Sequence, residues 1–261
     1  MGRFYNGTGM HPFFATSTSG RPLVFAHRGG SALAPENTMA AFANGLALGA
    51  DGLELDVHLS RDGVVVVNHD DTVDRTTSAR GAVAAMAADD LARLDVPALA
   101  DVLTRFRDAR VIVELKVNSK ELAHAVVEVV RRTDAVERVC FGSFGQRVLN
   151  AARAIEPAIA TSAAREEVRW ALYRSWVRRP SHGAAYHGFQ VPEFAGTTRV
   201  VSRRFVELAH RAGLGVQVWT VDDEDDARRL IAWGVDALIT DRPDAIVPLV
   251  RKPSNPRTFE P

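Results

Sequence analysis

The chain has 261 residues, 46% of them hydrophobic and 25% charged, which suits one large domain or two small ones and a core that needs neither disulfides nor a structural metal. Lys+Arg and Asp+Glu both total 32, and a formal charge of +0 argues against nucleic acid as the main partner, because duplex binding needs surplus cations. A single cysteine, Cys140, excludes an internal disulfide and a Cys-rich zinc site and fits a reducing compartment.

Residues 1–22 hold Gly, Thr, Ser and Pro but no basic stretch followed by an apolar one, so they read as an N-terminal extension without a secretory signal. No apolar run approaches the roughly 20 residues of a membrane helix, and the expectation is a soluble, cytoplasmic enzyme. From Leu23 onward, short β-branched runs alternate with segments of helical period. Strands are predicted at Leu23–His27, Leu53–Val57, Val111–Leu115, Val139–Gly142, Ala158–Ser162, Ala185–Val191, Gly215–Thr220 and Asp236–Thr240. Helices are predicted at Asn37–Leu48, Ala98–Phe106, Glu121–Arg132, Ala164–Val177, Val201–Ala212 and Glu224–Trp233, with a weaker one at Ala88–Leu94. Such alternation reads as an α/β protein, a (β/α)8 barrel over residues 23–250 that forms one catalytic domain, followed by a flexible tail at 251–261. An open doubly wound sheet would need a Gly-rich first turn of the form GxGxxG, and His27-Arg28-Gly29-Gly30 does not match it.

One stretch breaks the alternation. Leu53 to His69 contains two period-2 runs around Arg61-Asp62-Gly63, which is hairpin chemistry. Counted outward from Asp62, Asp56 lies opposite Asn68 or His69, so the hairpin returns His69 to the barrel mouth beside Asp56.

Functional side chains of a barrel sit at the C-terminal ends of its strands. The first strand ends in His27 and Arg28, the second in Glu54 and Asp56, and the hairpin returns His69 and Asp70. The third ends in Glu114 and Lys116, the seventh in Trp219 and the eighth in Asp241. Residues two apart on a strand project to one side, so Glu54 pairs with Asp56 and Glu114 with Lys116. Three inward carboxylates repel one another, and a divalent cation is the simplest compensation; oxygen ligands select Mg2+ or Ca2+ over zinc. An arginine fork and an ammonium beside a hard cation suit a phosphate group, and two histidines suit proton traffic in both directions. Phosphodiester cleavage needs these parts together. Lys116 can equally serve as a salt-bridge partner of Glu114, and Trp219 as barrel-mouth packing or a substrate platform. His58 is assigned to the hairpin rather than to the ligand set.

In chain order, His27-Arg28-Gly29-Gly30, Pro35-Glu36-Asn37-Thr38, Glu54-Leu55-Asp56, His69-Asp70, Glu114-Leu115-Lys116, Val218-Trp219-Thr220-Val221 and Thr240-Asp241-Arg242-Pro243 resemble the glycerophosphodiester phosphodiesterases over roughly residues 21–250. The resemblance implies hydrolysis of glycerophosphodiesters to glycerol 3-phosphate and an alcohol with a bound Mg2+ or Ca2+. It assigns the metal carboxylates to Glu54, Asp56 and Glu114, the acid–base pair to His27 and His69, and phosphate binding to Arg28 and Lys116. A non-catalytic barrel that binds phosphorylated ligands predicts the loss of a histidine or a carboxylate, and all are present. Attack by a glycerol hydroxyl, through a cyclic phosphate, and direct attack by water would use the same residues.

The chain departs from the family pattern between the His-Asp motif and the third strand, where Asp71–Arg110 leaves little for an elaborated lid. An open mouth points to a larger, lipid-bearing diester, so lysophospholipid cleavage is the alternative activity. The helix at 165–179 carries Trp170, Tyr173 and Val177 on one face among Arg165, Arg169, Arg174, Arg178 and Arg179. It reads either as a barrel-covering helix or as a segment for transient contact with an anionic membrane surface. Nothing in the sequence assigns an oligomeric state.

Overall fold

The computed structural model describes residues 9–251. Its main sheet is a closed parallel barrel of eight strands: β1 (Leu23–His27), β2 (Gly52–Leu59), β4 (Arg110–Leu115), β5 (Val139–Gly142), β6 (Ala160–Thr161), β7 (Gly188–Pro192), β10 (Gly215–Trp219) and β11 (Ala237–Thr240). The first strand pairs with both the second and the last, and a Ser162↔Gly188 bridge joins β6 to β7 and completes the ring. β3 (Val65–Val67) pairs antiparallel with the far end of β2, Val57 opposite Val67, and Asn68 N–H donates to Asp56 C=O at 3.0 Å. A second antiparallel pair, β8 (Phe194–Ala195) and β9 (Thr198–Arg199), follows β7. The helices are α1 (Met39–Ala47), α2 (Ala88–Ala92), α3 (Leu99–Arg105), α4 (Lys120–Arg132), α5 (Gln146–Ile155), α6 (Arg165–Trp176), α7 (Arg203–Arg211), α8 (Glu224–Ala232) and α9 (Pro243–Arg251).

Strand alternation sorts the core into layers. Leu53, Leu55, Val57, Val111, Val113, Leu115 and Phe141 pack outward with α3, α4 and α5. Phe25, Ile112, Cys140, Ala160, Ala237 and Ile239 point inward and fill the barrel. Further up the inward file, the same alternation delivers His27, Glu54, Asp56, Glu114 and Trp219 to the mouth. At the opposite end Phe13 and Phe14 are 1% and 0% exposed and plug the barrel. Positions 188 and 215 are glycine because a Cβ there would lie 2.4 and 2.6 Å from Phe14. The segment 1–22 therefore contributes core through residues 10–14, while its residues 1–8, and the predicted tail beyond Arg251, lie outside the described residues.

The structure differs from the sequence reading at several boundaries. α1 starts at Met39 rather than Asn37, because Thr38 caps it by accepting from Ala41 N–H while Asn37 takes a left-handed φ of 59° and turns to Asp56. The fifth barrel strand spans two residues rather than Ala158–Ser162, since Ser162 and Ala163 have already turned to bond to Phe141 and Gly188. Helices α5 and α9 and the β8–β9 hairpin were not expected; α9 hides behind Pro248, which interrupts the helical pattern from inside.

Candidate active site at the barrel mouth

Glu54, Asp56 and Glu114 each offer an oxygen, and the three oxygens lie within 4.8 Å of one another. Adjacent strands enforce this, since Asp56 is directly opposite Glu114 in the β2–β4 register. Glu54 and Asp56 are buried, 5% and 0% exposed. Burial, and then the charge of Asp56, push Glu54 well above the ordinary carboxylate range, and burial also raises Glu114. Lys116 Nζ lies 3.3 Å from Asp56 Oδ1 and 3.5 Å from Glu114 Oε1, yet Asp56 Oδ1 accepts no hydrogen bond. A buried, orphaned carboxylate oxygen among mutually repelling carboxylates is a donor set that fits a hard divalent cation.

The two histidines are held alike. His27 Nδ1 lies 2.6 Å from Asp241 Oδ1, and His69 Nδ1 lies 2.6 Å from Asp70 Oδ1. Each carboxylate fixes one ring nitrogen and leaves Nε2 for the cleft, and His27 Nε2 lies 3.8 Å from Glu54. Burial opposes charge on His27, but Glu54 and Asp241 outweigh it and raise the imidazole to about 9. Asp241 also accepts from Ser31 Oγ at 2.5 Å. His58 donates Nε2–H to the carbonyl of His69 at 3.2 Å, which anchors the returning loop and keeps His58 out of the carboxylate cluster.

Arg28 joins the two halves. Its backbone takes a φ of 50°, a left-handed turn that a non-glycine residue rarely adopts, and its N–H donates to Glu54 at 3.1 Å. Its guanidinium donates to Glu36 at 3.1 Å and places Nε 3.4 Å from Asp56. Glu36 in turn receives Arg75 at 2.8 Å, and Arg75 grips Asp70 at 2.7 Å, so a chain of charges runs from Arg28 to His69. Asn37 Nδ2 completes the shell by donating to Asp56 at 2.9 Å.

A cleft of about 860 Å³ contains His27, Arg28, Glu54, His69, Glu114, Lys116 and Trp219, so these predicted residues share one chamber, with Asp56 beneath it. Trp219 does two things at once, packing on the barrel core and meeting Phe144 edge-on at 6.1 Å. Residues 71–110 contribute nothing to the cleft lining; Val73, Val83, Leu91 and Val96 instead pack beneath Val66 of the hairpin. The opposite wall is apolar and comes from Leu172, Tyr173 and Trp176 of α6, from Val191 and from Phe194. Neither this wall nor the roles of Arg75, Asn37 and Asp241 emerged from the sequence reading. Glu36 and Asn37 lay in a quoted motif and Asp241 among the strand ends, whereas Arg75 carried no local signal.

Residues 27–245 match the glycerophosphoryl diester phosphodiesterase family. A glycerophosphodiester phosphodiesterase of Caldanaerobacter subterraneus subsp. tengcongensis is 33% identical over 259 residues, covering 89% of this chain and 99% of that protein. Among solved structures, a glycerophosphodiester phosphodiesterase from Agrobacterium tumefaciens superposes with a TM-score of 0.70 at 28% identity, covering 87% of this chain and 99% of the other. An Oleispira antarctica phosphodiesterase in complex with the product sn-glycerol-3-phosphate superposes with a TM-score of 0.72 at 27% identity, covering 91% and 100%. No helix among the described residues is long and apolar enough to cross a membrane. The chain belongs to the glycerophosphoryl diester phosphodiesterase family and is a phosphoric diester hydrolase.

Proposed function

We propose that this enzyme hydrolyses glycerophosphodiesters to glycerol 3-phosphate and an alcohol, with His27 and His69 as its acid–base pair. The observation that carries the reading is the pairing of two carboxylate-fixed imidazoles with a cluster of three carboxylates whose Asp56 Oδ1 is buried and unsatisfied. Glu54, Asp56 and Glu114 would hold the Mg2+ or Ca2+. When bound, such a cation supplies Lewis-acid stabilisation of charge on the phosphoryl oxygens. Arg28 and Lys116 flank the same space and bind and orient the phosphate, the guanidinium being held in place by Glu36. One imidazole takes the proton of the attacking oxygen and the other gives a proton to the leaving oxygen, each through Nε2 because Nδ1 is tied to Asp241 or Asp70. The attacking oxygen is either a hydroxyl of the substrate's own glycerol or a water. The test is release of glycerol 3-phosphate from glycerophosphocholine with and without a chelator. Chelator-insensitive turnover would remove the metal, and absence of turnover on any diester would return the barrel to a binding role.

A second reading, cleavage of lysophospholipids, rests on the apolar wall. Leu172, Tyr173, Trp176, Val191 and Phe194 open into the chamber that holds the histidines, and a water-soluble diester has no use for so much apolar surface. Burial of one apolar side chain is worth about 1.5–3 kcal/mol, so an acyl chain laid along two such groups would shift specificity strongly. Lysophosphatidylcholine is expected to be cleaved at least as well as glycerophosphocholine, and a large preference for the soluble diester would discard this reading.

A further inference from the structure

Helix α6 presents apolar surface to solvent. Trp170, Trp176 and Val177 are 69%, 56% and 67% exposed. Tyr173 meets the two tryptophans edge-on, with ring centroids 6.4 and 5.2 Å apart. Phe144 and Phe194, also exposed, extend this apolar surface around the rim, since both line the cleft together with Tyr173 and Trp176. Contiguous exposed apolar groups of this kind mark a contact surface.

The charge around the patch says what it contacts. Between Glu167 and Glu193 the sequence holds Arg169, Arg174, Arg178 and Arg179 and no acidic residue, in a chain of formal charge +0. The two bordering acids are already engaged, Glu167 by Arg153 at 2.8 Å and Glu193 by Arg229 at 2.6 Å. The arginine charge is therefore not offset within the segment. Indole and phenol rings favour the depth of lipid headgroups, and arginines beside them favour anionic headgroups. A protein partner would have to bring a matching acidic and aromatic face, whereas an anionic bilayer supplies both chemistries without shape matching.

We propose that α6, the β8–β9 hairpin and Phe144 form a docking surface for an anionic phospholipid bilayer, which seats the cleft mouth on the membrane. The proposal concerns where the enzyme sits and stands whichever diester it cleaves. The test uses the full chain with vesicles of phosphatidylcholine alone or mixed with phosphatidylglycerol. Retention is expected on the mixed vesicles only, with release at high salt and quenching of tryptophan emission by brominated acyl chains. Arg178→Ala and Arg179→Ala should each weaken vesicle binding about fivefold, and Trp170→Ala should weaken both binding and quenching. None of these three residues lines the cleft, so unchanged turnover of glycerophosphocholine in solution verifies that the variants are folded. No retention on mixed vesicles, equal retention on both kinds, or a dimer that buries Trp170 without vesicle binding would overturn the proposal.

Discussion

Phe14 offers a stringent test of how the barrel is built. Its ring is fully buried, and it meets the first residues of β7 and β10 at positions where glycine leaves no side chain to move in. Phe14→Ala should therefore leave an unrelaxed cavity, and truncations of this kind cost about 3–5 kcal/mol, a large share of the roughly 5–15 kcal/mol by which domains are stable. The ring lies at the end of the barrel opposite His27, so activity under native conditions should survive. Gly188→Ala supplies the converse perturbation, because its Cβ would lie 2.4 Å from the Phe14 ring and 2.8 Å from the Gly215 carbonyl. Overpacking of that sort costs about 1–3 kcal/mol. Combined, the two changes should destabilise less than their sum, since the alanine occupies space the ring has left. Equilibrium denaturation followed by circular dichroism measures all three variants. A loss below about 1 kcal/mol for Phe14→Ala, or strict additivity in the pair, would refute the plug.

Three further outcomes are expected. Replacing Glu54 or Glu114 by Gln, or Asp56 by Asn, should weaken Mg2+ or Ca2+ binding in calorimetry far more than it lowers Tm; unchanged affinity in all three would disprove the shared site. His27→Ala and His69→Ala should each lower turnover by roughly two to four orders of magnitude, and either variant within tenfold of wild type would leave the mechanism without that imidazole. The hydrogen bond from His210 to the buried Asp236, 2.8 Å long, raises the folded-state pKa of the imidazole above its unfolded value. Its stabilisation is complete below about pH 6.5 and disappears as pH rises through the raised value, so His210→Gln should flatten the alkaline fall in Tm; parallel Tm curves would contradict this.

Most of the barrel was legible because its strands are short β-branched runs with functional residues at their ends. Glu54 with Asp56, and Glu114 with Lys116, needed only the two-residue period of a strand to be read as pairs. Asp241 was visible as a strand end, but its partnership with His27 spans 214 positions and follows from ring closure rather than from any local pattern. Arg75 was illegible for a related reason: it binds Glu36 from 39 residues away in a loop without periodicity. On α6 the difficulty was different. Ala171 and Ser175 are buried while Trp170, Tyr173 and Trp176 are exposed, so the apolar stripe that ordinarily marks a helix's inner face marks its outer one.

The neighbourhood of β1 and β11 sets a temporal order on function. All three carboxylates and both histidines are contributed by residues 27–114, yet Asp241, which fixes His27 Nδ1, enters only after β11 has paired with β1. A nascent chain that has emerged only as far as β10 carries every residue assigned to acid–base and metal work and still lacks the group that orients one of them. Catalytic competence therefore arrives last in synthesis, with the strand that shuts the ring, and a partially made barrel is silent until then.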